Sequence, residues 1–403
     1  MNTVALELAK GSDISIIGLV NAVLVEAHER RASDIHMYPS VSNMRIRFRI
    51  DGMLQDAYQF PKTIHSEIIS RIKVMASLRT DEHQATQDGR FRFAWSDTEE
   101  FIDMRVSIVP TYHGENVVLR ILSDKAENFT LSMLGFSKSD EVKIMHALEN
   151  SNGMILATGP TGSGKTTTLY TLIKLLNQPG VSILTIEDPI EYSVSEITQI
   201  QVNPRAGLTF ANGLRSILRQ DPNIIMVGEI RDAETASIAV NTALTGHLLL
   251  STLHTNDSAT TFPRLLDMGI DSYLIASTVS VAIAQRLVRK ICVGCKKGFK
   301  VTPLVAETLA SVPLKLPISI GETVWGGRGC FECGKTGYKG RVCINEVLVV
   351  DDEIREAILH KASANEIRKM SIKNGMTTML EDGFVKVRLG DTTVEEVLRV
   401  VHP

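Results

Sequence analysis

The stretch GPTGSGKTT, residues 159–167, constrains the fold of this chain more than any other feature of the sequence. It fits the pattern G-x-x-x-x-G-K-[ST], and it stands between the apolar run MILAT (154–158) and a segment of helical character. Glycines let the backbone wrap a phosphate chain, and the amides at a helix N-terminus direct partial positive charge at it. The pattern therefore predicts a buried strand, a phosphate-binding loop and a helix that together bind ATP or GTP.

Individual residues of this loop have expected parts in holding the nucleotide. Lys165 is expected to reach the β- and γ-phosphates, and the hydroxyl of Thr166 is expected to ligate Mg²⁺. The predicted nucleotide-binding residues of the loop are Gly159, Pro160, Thr161, Gly162, Ser163, Gly164, Lys165, Thr166 and Thr167.

Beyond about residue 150, short apolar runs alternate with helical segments. The runs are MILAT (154–158), SILTIE (182–187), NIIMVG (223–228) and LLLSTL (248–253). Such runs are typical of strands in a parallel sheet that is covered on both faces. We predict an α/β nucleotide-binding domain over residues 126–403, including a cysteine-bearing segment at 289–345 and a helical tail at 346–403. In the tail, Thr392 and Glu395 are expected to form a capping box.

A different pattern fills the first 125 residues. Apolar residues recur at helical spacing over 16–31, a second helix is predicted over 63–78, and NMRIRFRID (43–51) alternates apolar residues with arginines. Asp51-Gly52 is a hairpin signal, and strand-like runs follow at GRFRFAW, FIDMRVSIV and NVVLRIL. We predict a smaller α+β domain with an antiparallel sheet over residues 1–125.

Acidic residues end two of the predicted parallel strands, namely Glu187 and Glu229. Ligands bind at the carboxyl ends of such strands, and ATP hydrolysis needs carboxylates there to hold a metal ion or to activate water. His247 and His254 flank LLLSTL seven positions apart, an odd offset that points them to opposite faces and argues against a shared metal site. A γ-phosphate sensing role and a hydrogen-bonded structural role both stay open for each histidine.

Two Cys-x-x-Cys pairs, Cys292/Cys295 and Cys330/Cys333, lie 34 residues apart. Four thiolates around one Zn²⁺ form a closed tetrahedral site, which is structural and not catalytic. A redox pair is the alternative, but the sequence offers no thioredoxin-like context for it. We expect structural zinc here, and we expect the fifth cysteine, Cys343, to be a small buried residue.

The net charge and the hydropathy pattern of the chain limit which partners and which cellular compartment we expect. The formal net charge of −3 gives no global basic field that would argue for nucleic acid or an anionic membrane. The apolar run at 14–25 is shorter than a membrane span of about 20 residues, and it has no signal-peptide features. We therefore expect a cytosolic chain that can still dock on a membrane protein.

Taken together, several segments resemble the secretion ATPases of type II secretion and type IV pilus assembly. The matching segments are ASDIH (32–36), QDGRF (87–91), GPTGSGKTTTLY (159–170), ILTIEDPIEY (183–192), LRQDPNIIMVGEIRD (218–232), TGHLLLSTLHTN (245–256), QRLVRKIC (285–292) and GDTTVEEVLRV (390–400). The resemblance covers nearly the whole chain. It implies a RecA-like P-loop domain preceded by a smaller PAS-like α+β domain.

The resemblance also assigns roles by position. It implies that Glu187 acts on the attacking water, that Glu229 holds Mg²⁺ and the catalytic geometry, and that His254 contacts the γ-phosphate. It implies that Arg90 and Arg105 reach the nucleotide phosphates when the N-terminal domain closes. Two further nucleotide-directed arginines are implied at Arg215 and Arg219.

For partners, the resemblance implies a homohexamer that works with an inner-membrane platform protein and meets the membrane only indirectly. Assembly and secretion members of the family commonly carry the cysteine element, whereas pilus retraction members lack it, so extension or secretion is expected. Many members carry an additional N-terminal docking domain, and here only about 15 residues precede the first predicted helix. We therefore expect either a different docking mode or a short branch of the family.

Two other functions compete with the motor ATPase. A nucleic-acid translocase or DNA-uptake ATPase is conceivable because RIRFR (45–49) offers a basic strand face, although no aromatic platform accompanies it. A nucleotide-gated adaptor without turnover is disfavoured by the complete set of carboxylates. Stimulation of ATP hydrolysis by single-stranded DNA would distinguish the translocase.

Overall fold

The computed structural model describes residues 3–94, 101–122, 129–303 and 319–401. The chain divides into two compact units, Met1–Ala126 and Glu127–Pro403. The predicted domain boundary between residues 125 and 126, and Trp95 at the end of one predicted strand, lie outside the described residues. Within the described ranges, every helix is too short or too polar to span a bilayer.

The first unit is an antiparallel sheet with helices. Its strands are β1 (Ala32–Pro39), β2 (Asn43–Ile50), β3 (Met53–Pro61), β4 (Gln87–Ala94), β5 (Phe101–Thr111) and β6 (Gly114–Leu122). Its helices are α1 (Thr3–Leu8), α2 (Ile16–Glu29) and α3 (His65–Met75). The six strands pair in the order β3-β2-β1-β6-β5-β4, all antiparallel. The predicted α+β class with an antiparallel sheet is confirmed.

Local sequence explains these elements. Met44, Ile46 and Phe48 are fully buried and the arginines between them lie on the other face of β2, as the period of two predicts. Both residues of the Asp51-Gly52 turn have positive φ, 48° and 83°, which suits a tight hairpin. The helix predicted over 63–78 is shorter than expected, because α3 ends at Met75 and the chain turns through Ser77 at a φ of 55°.

The second unit is built on a seven-stranded sheet. Its strands are β7 (Gly153–Thr158), β8 (Ile183–Glu187), β9 (Thr198–Gln201), β10 (Ile224–Val227), β11 (Leu248–Leu253), β12 (Val279–Ile291) and β15 (Tyr338–Val349). The order is β15-β12-β7-β11-β10-β8-β9, with β15 antiparallel to β12 and the other neighbours parallel. The separate ribbon of β13 (Lys296–Lys300) and β14 (Thr323–Gly327) carries the cysteines on its flanks.

Helices cover both faces of the large sheet. They are α4 (Lys138–Leu148), α5 (Lys165–Leu176), α6 (Phe210–Ile217), α7 (Ala233–Leu244), α8 (Thr261–Asp267), α9 (Ser272–Thr278), α10 (Asp352–Leu359), α11 (Ala364–Lys373), α12 (Met379–Leu389) and α13 (Val394–Val401). On β7, Met154 and Leu156 belong to one apolar core, and Ile155 and Ala157 belong to the core on the opposite face. The four apolar runs are therefore strands buried on both sides, and the predicted α/β class is confirmed.

The C-terminal tail differs from expectation in two details. Its first residues continue β15 as far as Val349, because they pair with β12. The predicted capping box is wrong: the Thr393 hydroxyl accepts from the Glu396 amide at 3.4 Å, whereas the Thr392 hydroxyl donates to the carbonyl of Arg289. Two adjacent threonines fit the capping pattern equally well, and tertiary packing selects Thr393.

Candidate active site

Four neighbouring strands bring the predicted catalytic residues to one edge of the sheet. The parallel strands β7, β11, β10 and β8 are consecutive in the sheet, and their carboxyl ends lead into Gly159, His254, Glu229 and Glu187. Three of these side chains and the phosphate loop therefore line up along the edge where open α/β sheets bind ligands. The strand order, which the sequence does not reveal, sets this arrangement.

The phosphate loop depends on glycine at three places. Gly159, Gly162 and Gly164 have φ values of 140°, 75° and 100°, which other residues rarely adopt. At Gly159 there is also no room for a side chain, since a Cβ would lie 2.5 Å from the carbonyl oxygen of Gln285. The loop ends at the first residue of α5, so the amides at that helix terminus remain directed at the loop.

Lys165 folds back on the loop. Its Nζ donates to the carbonyl oxygens of Gly159 at 2.8 Å and Pro160 at 3.0 Å. Burial lowers the pKa of this ammonium to about 8, against the opposing effect of Glu229. Thr166 is exposed at the start of the helix, so its hydroxyl is accessible as an Mg²⁺ ligand.

Glu229 contacts Arg231 and His254 at the end of β10. Its Oε2 lies 3.2 Å from Nε2 of His254, and its Oε1 pairs with Arg231. Arg231 also lies 3.7 Å from Asp188, so it bridges the ends of β10 and β8. Burial acts to raise the pKa of Glu229, but Arg231 and His254 outweigh it and hold the pKa below its usual value. Arg231 was not among the predicted site residues, although it stands only two positions after Glu229.

Glu187 is in a different environment. It is only 2% exposed, and its carboxylate accepts hydrogen bonds from the hydroxyl groups of Tyr170 and Thr185 and from the amide of Gln199. Burial and the Glu187 carboxylate raise the pKa of the Tyr170 phenol, so this hydroxyl stays a donor. The predicted water-activating carboxylate is thus fully occupied by protein donors in this structure.

The two histidines around β11 are separated by the whole strand. His254 follows the strand at the phosphate edge and its side chain is 48% exposed. His247 precedes it at the opposite edge, where its Nδ1 lies 3.2 Å from the carbonyl oxygen of Thr242. The structure brings only His254 to the candidate site, and it gives His247 a structural hydrogen bond.

Of the four predicted arginines, two belong to the second unit and two to the first. Arg215 and Arg219 are exposed on α6 and its C-terminal turn, where Arg215 pairs with Glu234 at 2.8 Å and Arg219 hydrogen-bonds the carbonyl of Arg215. Arg90 and Arg105 are cross-strand partners on the polar face of the first unit's sheet. Within the described part of that unit, neither has an ion-pair partner.

A cleft of about 360 Å³ adjoins the phosphate loop and His254. Its lining residues are Gly159, Pro160, His254, Thr255, Asn256, Thr260, Pro263, Arg264 and Asp267. The space lies beside the loop backbone that would hold the phosphates.

The four predicted metal ligands come together despite their separation in sequence. The Sγ–Sγ distance is 3.7 Å for Cys292 and Cys330, 3.9 Å for Cys295 and Cys333, and 3.7 Å for Cys330 and Cys333. Sulfurs bound at about 2.3 Å in a tetrahedron around zinc would stand about 3.8 Å apart. The donor set and its spacing therefore fit a Zn²⁺ ion, and no disulfide joins these cysteines.

Backbone amides support the cluster. The amides of Cys330 and Gly337 donate to Sγ of Cys333 at 3.1 and 3.3 Å. Although burial acts to raise it, these donors lower the pKa of the Cys333 thiol to about 6. Amide donors that stabilise a thiolate are the usual surroundings of a metal-bound cysteine.

Comparisons with known proteins agree with the geometry. The sequence model of the family described as type II/IV secretion system protein matches residues 9–399. The type II secretion system protein E of Xanthomonas campestris is 47% identical over 97% of this chain and 68% of its own length. The type IV pilus assembly ATPase PilB of Myxococcus xanthus is 44% identical over 98% of this chain and 70% of its own length.

Solved structures share the fold. The pilus retraction motor PilT with bound ADP superposes with a TM-score of 0.62 at 26% identity, covering 94% of this chain and 96% of the other. The ATPase DotB of Legionella pneumophila, at 24% identity and a TM-score of 0.69, covers 94% of both chains and confirms the fold. The predicted resemblance is confirmed: this chain belongs to the type II/IV secretion system protein family and has the fold of its ATPases.

Proposed function

We propose that this chain is the motor ATPase of a pilus assembly or type II secretion machine. The names of its relatives describe the same function for those proteins. The observation that carries the proposal is the alignment of the phosphate loop, His254, Glu229 and Glu187 along one edge of the sheet. ATP hydrolysis needs hydrogen-bond donors to the phosphates, a carboxylate that holds the metal ion and a group that orients water, all in one place. Residues of these chemical types lie together at this edge, which supports the proposal.

At the site, Lys165 exchanges its contacts with the loop carbonyls for the β- and γ-phosphates. Thr166 and Glu229 would hold Mg²⁺, which neutralises charge that develops on the phosphates. His254, already beside Glu229, would contact the γ-phosphate oxygens. Positive charge placed before the reaction lowers the barrier without reorganisation at the moment of transfer.

Glu187 would orient the attacking water after a rearrangement. In the present structure its carboxylate oxygens are held by three protein donors, namely the hydroxyls of Tyr170 and Thr185 and the amide of Gln199. We propose that the present arrangement is the resting one, and that nucleotide binding draws α5, which carries both Lys165 and Tyr170, away from it. Loss of the Tyr170 hydrogen bond would then free a carboxylate oxygen of Glu187 for the attacking water only when nucleotide is bound.

The remaining arginines would add charge in the assembled enzyme. Arg90 and Arg105 would reach the nucleotide phosphates, since a pair of unneutralised guanidiniums on adjacent strands suits an anionic ligand. The family resemblance implies that Arg215 and Arg219 are also directed at the nucleotide. The cysteine cluster would hold Zn²⁺ as a structural ion.

The working form would be a homohexamer that docks on a platform protein at the inner face of the cytoplasmic membrane. The cysteine cluster favours an assembly or secretion motor over a retraction motor. The competing translocase gains no support from the arginines at 45–49, because Arg47 lies over the ring of Tyr38 and Arg49 pairs with Asp34 at 3.4 Å. Both arginines therefore already contact side chains of the neighbouring strand β1.

ATP hydrolysis by the purified chain tests this function. We expect ATP hydrolysis that requires Mg²⁺ and whose rate changes by less than about twofold when single-stranded DNA is added. We also expect light scattering to report a hexamer in the presence of a nonhydrolysable ATP analogue. Strong stimulation by single-stranded DNA would favour the translocase. ATP binding without turnover, in protein shown to be hexameric, would favour the adaptor.

A further inference from the structure

The cysteine element presents two apolar side chains to solvent at equivalent places. Val293 and Phe331 each follow the first cysteine of a Cys-x-x-Cys pair, and they are 90% and 98% exposed. The two pairs face each other, since a Cβ at Gly294 would lie 3.1 Å from Oε2 of Glu332. Both apolar side chains therefore stand on the turns that close around the sulfur cluster, and we call them the knuckle tips.

Positive charge surrounds the knuckle tips. The stretches 289–300 and 322–341 hold nine Lys and Arg against two Glu, although the whole chain has a net charge of −3. Lys297, Arg328, Lys335 and Lys339 are exposed. Two of the nine cations have acidic partners, since Glu332 lies 4.0 Å from Lys339 and Glu396 lies 2.7 Å from Arg289. Glu322 pairs with Arg388, which lies outside the two stretches. The cysteine element is therefore a region of net positive charge in a protein whose overall charge is negative.

The scaffold under the knuckle tips is tightly built. The backbones of Gly327 and Gly337 touch, since a Cβ at Gly327 would lie 2.0 Å from the carbonyl oxygen of Gly337. The same carbonyl accepts a hydrogen bond from the Cys292 amide at 2.9 Å. Turns fixed in this way lose little conformational entropy when they bind, so the exposed side chains are presented at low cost.

We propose that the knuckle tips insert into the surface of an anionic phospholipid bilayer. Apolar side chains that enter the headgroup region, together with cations that attract anionic lipids, are the two signals that hold a peripheral protein on a membrane. Two isolated tips bury far less than the roughly 800 Å² per partner of a stable protein interface, but they suit shallow insertion. The inference rests on the proposed membrane location, to which it adds a direct lipid contact.

Co-sedimentation of the full chain with vesicles tests the inference. Vesicles of phosphatidylethanolamine with phosphatidylglycerol should bind the chain, whereas phosphatidylcholine vesicles should not. Double replacement Val293→Ser with Phe331→Ser should weaken binding at least about tenfold, through lost insertion. Lys335→Glu with Lys339→Glu should weaken it similarly and reduce its salt dependence. The matched control, Val142→Ser with Tyr273→Ser, removes exposed apolar side chains elsewhere in the same unit and should bind like the parent.

A second measurement reports insertion directly. Phe331→Trp should show blue-shifted emission on anionic vesicles and quenching by brominated lipids, and Tyr112→Trp, at another exposed turn, should show neither.

Three results would each overturn the inference. They are unchanged vesicle binding after replacement of both knuckle tips, equal binding to neutral and anionic vesicles, and binding to acidic polypeptides but not to vesicles. ATP hydrolysis and zinc content are measured in parallel without lipid. Normal turnover with no lipid binding would contradict only this inference, and absent turnover in the parent would contradict the proposed function.

Discussion

Nε2 of His254 lies 3.2 Å from Oε2 of Glu229, so the side chains that end two adjacent parallel strands are in direct contact. The contact places the imidazole of His254 and the carboxylate of Glu229 side by side at the phosphate edge. We therefore expect a change at Glu229 to remove the side-chain partner that His254 has at this edge. Arg231 completes the group on the other side of the carboxylate.

Glu229→Gln keeps the shape of the side chain and removes its charge. We expect ATP to bind with near-parental affinity and turnover to fall at least about 100-fold, because one preorganised electrostatic element is lost. Steady-state hydrolysis and equilibrium nucleotide binding measure the two effects separately. Near-parental turnover would remove Glu229 from the catalytic assignment. Glu149→Gln, at an exposed acid of the same unit that lies away from the proposed site, serves as the control.

Lys165 gives nucleotide binding a pH dependence. Its pKa of about 8 in the free protein means that the amine is mostly neutral above pH 8, whereas bound phosphate favours the ammonium. ATP affinity should therefore fall about tenfold per pH unit above pH 8, with proton uptake on binding. Calorimetry in buffers of different ionisation enthalpy measures the proton. Lys165→Arg, which stays charged, should lose this dependence, and parental ATP affinity that is constant from pH 8 to 10 would contradict the prediction.

Tyr170→Phe leaves the buried carboxylate of Glu187 without one of its donors. We expect the free energy of unfolding to fall by about 1–3 kcal/mol, the cost of an unsatisfied buried polar group. Urea denaturation measures the change. Tyr273→Phe, on an exposed tyrosine, should be within about 0.5 kcal/mol of the parent. Equal stability of the two variants would show that the Tyr170 hydroxyl does not support Glu187.

Elemental analysis should find one zinc per chain. Cys295→Ser should lose the metal and expose the backbone around 290–303 and 319–341 to hydrogen exchange first, since structural zinc contributes on the order of 10 kcal/mol to small domains. Cys343→Ser should keep the metal, because Cys343 lies apart from the cluster and its Sγ contacts the carbonyl of Ser163. A zinc-free protein with a Cys292–Cys295 disulfide after purification without reductant would contradict this prediction.

Arg90→Ala and Arg105→Ala should each lower turnover by about 10³-fold while zinc content and ATP binding are largely kept, as expected for arginines that supply charge to the reacting phosphate. Arg92→Ala is the matched control, because Arg92 neighbours Arg90 on β4 but pairs with Asp103 at 2.7 Å. Turnover within threefold of the parent for Arg90→Ala and Arg105→Ala, in protein shown to be oligomeric, would exclude this role.

Features that depend only on neighbouring residues could be predicted from the amino-acid sequence. The phosphate loop between a strand and a helix, the four buried strand runs and the Asp51-Gly52 hairpin all formed as predicted, because glycine conformations and apolar periodicity act over a few residues. The sequence also predicted that the two cysteines of each Cys-x-x-Cys turn act as neighbouring metal ligands, because they are only three positions apart.

Contacts between residues far apart in the chain became apparent only from the folded structure. It placed Tyr170 and Gln199 on Glu187, joined Arg231 to Glu229, and brought two cysteine pairs 34 residues apart to within 4.8 Å. It also selected the cap of the last helix. These contacts depend on strand order and on packing between elements far apart in the chain, and local patterns carry no information about either.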